Sequence, residues 1–197
     1  MLDATSELLR DTSLADLSVA QILDAARVGR TSFYEHFDSK EDVVVELVQS
    51  VGARLAEQLA PVFARGERSP DEAIDQGLSS LAAAWARDAP LLIAIAEEWP
   101  AIPRLRALWL SLHGQLTSRL ASVIDADRAA GLAPPGADSR ALAASLVWTV
   151  ERALHVAGCG ASPALPDQAS LVAPLRQLLI GGIYGRAPEQ RRWAPPP

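Results

Sequence analysis

Apolar side chains recur every three or four positions along almost the whole chain, the spacing of helices with one buried face. Leu2, Leu8 and Leu9 mark a short first helix ending near Arg10. Val19, Ile22, Leu23 and Ala26 predict a second, opened by Ser18 and Gln21 as a capping box. Arg27, Val28 and Gly29 interrupt the pattern. Phe33 and Phe37, one turn apart, then predict a third helix over 30–37. Two helices of about eight residues joined by a three-residue turn have the spacing of a helix-turn-helix. Ser39 caps a long fourth helix with Val44, Leu47, Val48, Val51 and Leu55 on one stripe, running to about Leu59 and stopped near Pro61.

The remainder reads as a bundle. Ser69, Pro70 and Glu72 give a strong helix start, and that helix extends to about Asp88. A short apolar helix over 90–99 is followed by a long one from Pro103, with Leu105, Leu108, Trp109, Leu112, Leu116, Leu120 and Val123 on one face. Asp138 or Ser139 opens the next, to about Val156. A last helix over about 167–184 is bent or restarted near Pro174. No strand signal interrupts this series, so the fold class is all-α, with about nine helices. The expected organisation is a three-helix helix-turn-helix domain over 1–48, a helical bundle over 49–188 and a disordered tail over 189–197.

Composition narrows the function classes. Of 197 residues 49% are apolar and 21% charged, as in globular proteins. No uninterrupted apolar run approaches the ~20 residues of a membrane helix, and the N-terminus lacks a signal-peptide pattern. With Cys159 alone, no intrachain disulfide can form; a cytoplasmic location without membrane contact is expected. Charge argues against nucleic acid: residues 1–50 hold four basic and ten acidic side chains, the whole net charge of −6. Enzyme chemistry has little support. His36, His113 and His155 show no metal-ligand spacing, Cys159 has no obvious base nearby, and no P-loop or dinucleotide motif is present. No metal or cofactor is expected.

The stretch Ala26-Arg27-Val28-Gly29-Arg30-Thr31-Ser32-Phe33-Tyr34-Glu35-His36-Phe37-Asp38-Ser39-Lys40-Glu41 resembles the signature of TetR-family regulators, and Leu14 to Val19 resembles the family's approach to it. The family usually has Gly at the place of Arg27 and Ser at that of Gly29. Arg27 in a left-handed turn costs roughly 1 kcal/mol. The basic arm that precedes the family's first helix is not present in this sequence. Leu108-Trp109, Val123 to Ala126, Glu151-Arg152 and Ile183 to Gly185 are similar to the ethionamide-resistance-type repressors, a branch with a narrow apolar ligand tunnel.

This resemblance implies a ligand-responsive regulator, a repressor, that binds a palindromic operator in double-stranded DNA as a homodimer and is released by a small hydrophobic effector. Arg30, Thr31 and Ser32 would meet base edges, and Ser18, Tyr34, His36 and Lys40 the phosphates. Gly77, Leu81, Trp85, Trp109 and His113, with Leu116, Val147, Val150 and Leu179, would line the tunnel. Val147 and Val150 replace polar amides common in that branch, which implies a ligand with fewer hydrogen bonds. Leu142, Leu146 and Leu154 of one helix, and Leu175, Leu178, Gly182 and Ile183 of the last, would pair across a two-fold axis. The alternative is a small-molecule-binding helical protein with weak or lost DNA binding, suggested by the acidic N-terminal part.

Overall fold

The structure is a computed structural model, and it describes residues 1–185; the expected tail over 189–197 lies outside the described residues. Nine α-helices follow one another among them: α1 (Leu2–Leu8), α2 (Val19–Ala26), α3 (Arg30–Tyr34), α4 (Lys40–Ala64), α5 (Pro70–Arg87), α6 (Ala89–Glu98), α7 (Pro103–Ala129), α8 (Ser139–Gly158) and α9 (Val172–Tyr184). A 3-10 turn, Ala169–Leu171, leads into α9, so the break near Pro174 is a restart just before it. No single described helix is long and apolar enough to cross a membrane.

Side-chain caps open four of the nine described α-helices. Ser18 and Gln21 form a reciprocal capping box at α2, as do Ser69 and Glu72 at α5. Ser39 accepts from the Asp42 N–H at α4, while the Asp42 carboxylate takes the Asp38 N–H instead of completing the box. Arg27 sits at φ 54° and ψ 44°, so the turn into α3 does use the left-handed conformation expected of it, and Gly29 caps α3 in an extended one. Two expectations need correction. The third helix stops at Tyr34, and single-turn bonds from His36 and Phe37 to the Phe33 carbonyl complete its path. The fourth runs through Pro61 to Ala64 before Arg65 and Gly66, both at positive φ, end it. A proline lacks only the one N–H, and the Pro61 carbonyl still accepts from Arg65.

One continuous apolar core joins both parts of the chain. Leu14, Leu17, Ile22 and Phe33 are fully buried where α1, α2 and α3 meet the start of α4, and Val43, Val44 and Val48 carry that core into the bundle. Leu23 is half-buried at its edge, and Val28 in the turn is half-buried as well. Below, α4 packs against α5 and α7, α7 against α8, and α9 against α5.

Candidate functional site

The N-terminal face presents the predicted contact residues unequally. Arg30 and Thr31 are exposed on the first turn of α3, and Ser32 is half-buried. Tyr34 is 50% exposed, its ring edge-on to Phe33. His36 is exposed, with Nδ1 held 3.0 Å from the Ser32 carbonyl oxygen. Ser18 is half-buried and engaged in its capping box. Lys40 departs from expectation. The ammonium of this single lysine donates to the carbonyls of Leu14, Ala15 and Leu17 at 2.6–2.9 Å. Its three donors are thus taken by the α1–α2 loop, which Lys40 fastens to the start of α4.

The bundle holds an apolar cavity of about 330 Å³. All nine residues that the sequence assigned to a tunnel line it: Gly77, Leu81 and Trp85 from α5, Trp109, His113 and Leu116 from α7, Val147 and Val150 from α8, and Leu179 from α9. Sequence reasoning missed the contribution of α4, whose Val48, Gly52, Leu55, Leu59 and Phe63 form another wall. Its apolar stripe was visible, but a stripe facing a void and one facing a neighbour look alike in sequence. The leucines of α7 show the difference. Leu112, Leu116, Leu120 and Val123 are not fully buried and line the cavity, whereas Thr117, Ala121 and Asp127 are buried away from it. Gly52 and Gly77 permit close approach: a Cβ at Gly52 would lie 2.9 Å from Leu112, and one at Gly77 3.1 Å from Val62.

Few polar groups interrupt this wall. His113 is buried, stacked on Trp148 at 4.2 Å, with Nδ1 2.9 Å from the Trp109 carbonyl oxygen. Burial lowers its pKa and the carbonyl contact opposes that only in part, so the ring is neutral. Neither carboxyl oxygen of Glu151 and not the Trp109 Nε1 has a hydrogen-bond partner, although all are buried. Burial raises the Glu151 pKa against the pull of Arg152, which stands 3.9 Å away. At one end, Arg65 grips Asp127 with two contacts of 2.7 Å, and the Tyr184 hydroxyl donates to the same carboxylate at 2.6 Å. This network fastens the end of α4 to α7 and α9.

The apolar face predicted for pairing is mostly internal. Leu146, Leu154, Leu175 and Ile183 are buried within the protomer, and three of them also line the cavity. Their periodicity marked a covered face without saying what covers it. Of the set, Leu178 at 47% exposure, Gly182 and half-buried Leu142 remain outward.

Two family matches divide the chain. Residues 1–47 match the family described as "Bacterial regulatory proteins, tetR family", and residues 74–185, more than half the chain, match "Transcriptional regulator EthR, C-terminal domain". The chain is a TetR-family transcriptional regulator of the EthR type. The HTH-type transcriptional regulator EthR of Mycolicibacterium smegmatis is 26% identical over 188 residues, covering 95% of this chain and 86% of that protein. The EthR of Mycobacterium tuberculosis H37Rv is 28% identical over 185 residues, 92% and 85%. In fold, this TetR-family chain superposes on FadR from Bacillus subtilis in complex with stearoyl-CoA, with TM-score 0.78 at 19% identity over 92% and 97% of the two chains. Thermus thermophilus FadR in complex with lauroyl-CoA gives TM-score 0.66 at 24% identity over 100% and 96%. These relatives are regulators rather than enzymes. Cys159 does lie near a base that the sequence did not reveal, the Nε2 of His155 at 3.6 Å. Burial lowers the His155 pKa and raises that of Cys159, which favours a neutral pair over a thiolate–imidazolium nucleophile.

Proposed function

We propose that this TetR-family regulator is a repressor, binding a palindromic operator as a homodimer through α3 and released by an apolar effector in the bundle cavity. The observation that carries the reading is the double duty of α4. Its first turns support α1 and hold the α1–α2 loop through Lys40, and its later turns form a cavity wall. A ligand that moves this wall moves the reading head, so occupancy and operator affinity are linked. Arg30 reads a guanine edge in each half-site, with half-sites one helical turn apart at ~34–36 Å. The two protomers meet through the outward face of α8 and α9 around Leu142, Leu178, Gly181 and Gly182. An acyl chain is the favoured effector, because the walls are aliphatic and aromatic and two regulators of the same fold bind acyl-CoA.

A gel shift tests this directly. Purified protein retards DNA carrying an inverted repeat from upstream of its own reading frame, and lauroyl- or stearoyl-CoA weakens that binding about five- to 150-fold. Effector that tightens binding or leaves it unchanged overturns the repressor reading. The second reading, a ligand-binding protein with weak DNA binding, draws on the excess of acidic residues over 1–50 and on the internal use of Lys40. Arg30→Ala separates the two: it abolishes operator retention under the first and changes nothing under the second.

A further inference from the structure

Outside the cavity, α6 and the end of α8 bring together three side chains that none of the functions above uses. The ligand atoms of Glu97, His155 and Cys159 all lie within 4.8 Å of one another. We propose that they bind one zinc-class divalent cation through the Glu97 carboxylate, a His155 nitrogen and the Cys159 sulfur, with water in the fourth position.

The spacing of sulfur and nitrogen fits a shared tetrahedral ion. Around tetrahedral zinc, a Zn–S bond of about 2.3 Å and a Zn–N bond of about 2.0–2.1 Å place sulfur and nitrogen ~3.6 Å apart. The Cys159 Sγ and His155 Nε2 are 3.6 Å apart. The sulfur also lies 4.0 Å from Nδ1, beside the ring rather than along the Nε2 lone pair, so the imidazole turns to ligate the ion; the two residues stand one helical turn apart, and the Cys159 N–H bonds to the His155 carbonyl at 2.9 Å. Trp85 packs edge-on against the His155 ring, 6.3 Å between ring centres. The third ligand comes from another helix on an exposed side chain, free to close the remaining distance, and exposed Cys159 leaves a path for the ion from solvent.

The donor set gives the selectivity. Thiolate and imidazole favour zinc and its neighbours among the transition metals, whereas magnesium and calcium take oxygen ligands. The metal displaces the thiol proton on binding, and that proton leaves to solvent. The carboxylate and thiolate together outweigh Arg152, the cation that acts on the same two α8 residues. Bound here, the ion ties α6 to α8 directly behind Trp85, a wall of the effector cavity.

The test is a titration of tag-free, full-length protein with Zn²⁺ in competition with a chelating dye, and with Co²⁺ followed by absorption. One ion per chain is expected, together with a thiolate-to-cobalt charge-transfer band. Cys159→Ser and His155→Gln are expected to weaken binding by at least the ~10–100-fold that even outer-sphere changes cost, and Cys159→Ser to abolish the band. Circular dichroism checks that each variant is folded; because Cys159 is exposed, its serine variant keeps the fold. Glu97→Gln, on the surface, reports on the third ligand by a smaller loss. Absence of binding in the folded wild-type protein, or unchanged affinity in folded Cys159→Ser, overturns the site.

Discussion

Arg27 holds a left-handed backbone conformation that glycine reaches without a Cβ penalty. Arg27→Gly is therefore expected to stabilise the protein by about 1 kcal/mol, read as a higher midpoint in urea denaturation. Glu151 offers a second test at this scale. Its carboxyl is buried without a hydrogen bond, and its pKa in the folded chain is raised above the ordinary 4.5. The folded state thus binds the proton more tightly than the unfolded one, and stability falls as pH rises from 4.5 through the raised value. Glu151→Gln should raise the denaturation midpoint at pH 8 and leave it unchanged below the ordinary carboxyl value, measured across pH.

Among the elements, α4 depends on how its far end is anchored. The bidentate contact of Arg65 with buried Asp127, reinforced by Tyr184, leaves a partly exposed guanidinium opposite a buried carboxylate. Asp127→Ala removes the shared acceptor and should cost about 2–4 kcal/mol, less than a fully buried pair because Arg65 still reaches water. Thermal melting of the variant checks this. Most helix starts were legible, since Ser18, Ser39 and Ser69 announce themselves by local chemistry. The end of α4 was not, because Pro61 breaks one hydrogen bond in a last turn that has few left to lose. The nine cavity residues could be placed through the family resemblance. The inward fate of Leu146, Leu154, Leu175 and Ile183 could not, since spacing reveals an apolar face but not its neighbour. Nor could the meeting of Glu97 with His155 and Cys159, which depends on how α6 packs against α8.

Across the whole molecule, the proposed function requires two protomers and one internal space. Leu178 is the large apolar residue left outward on the proposed pairing face, at 47% exposure. Leu178→Arg should yield monomers by analytical ultracentrifugation and abolish operator retention, with the monomer's helical signal unchanged. Leu116→Trp should fill the cavity, keep operator binding, and raise the effector concentration needed for release about tenfold, equivalent to 1.4 kcal/mol. An apolar wall with so few polar groups has little means of recognising functional groups, and what it can gauge is length. Each added methylene that still fits contributes about 0.8 kcal/mol, close to a fourfold gain in affinity, and the first that does not fit reverses the trend. A ladder of saturated chains should therefore produce a sharp optimum, making this cavity a ruler whose graduations are carbon atoms.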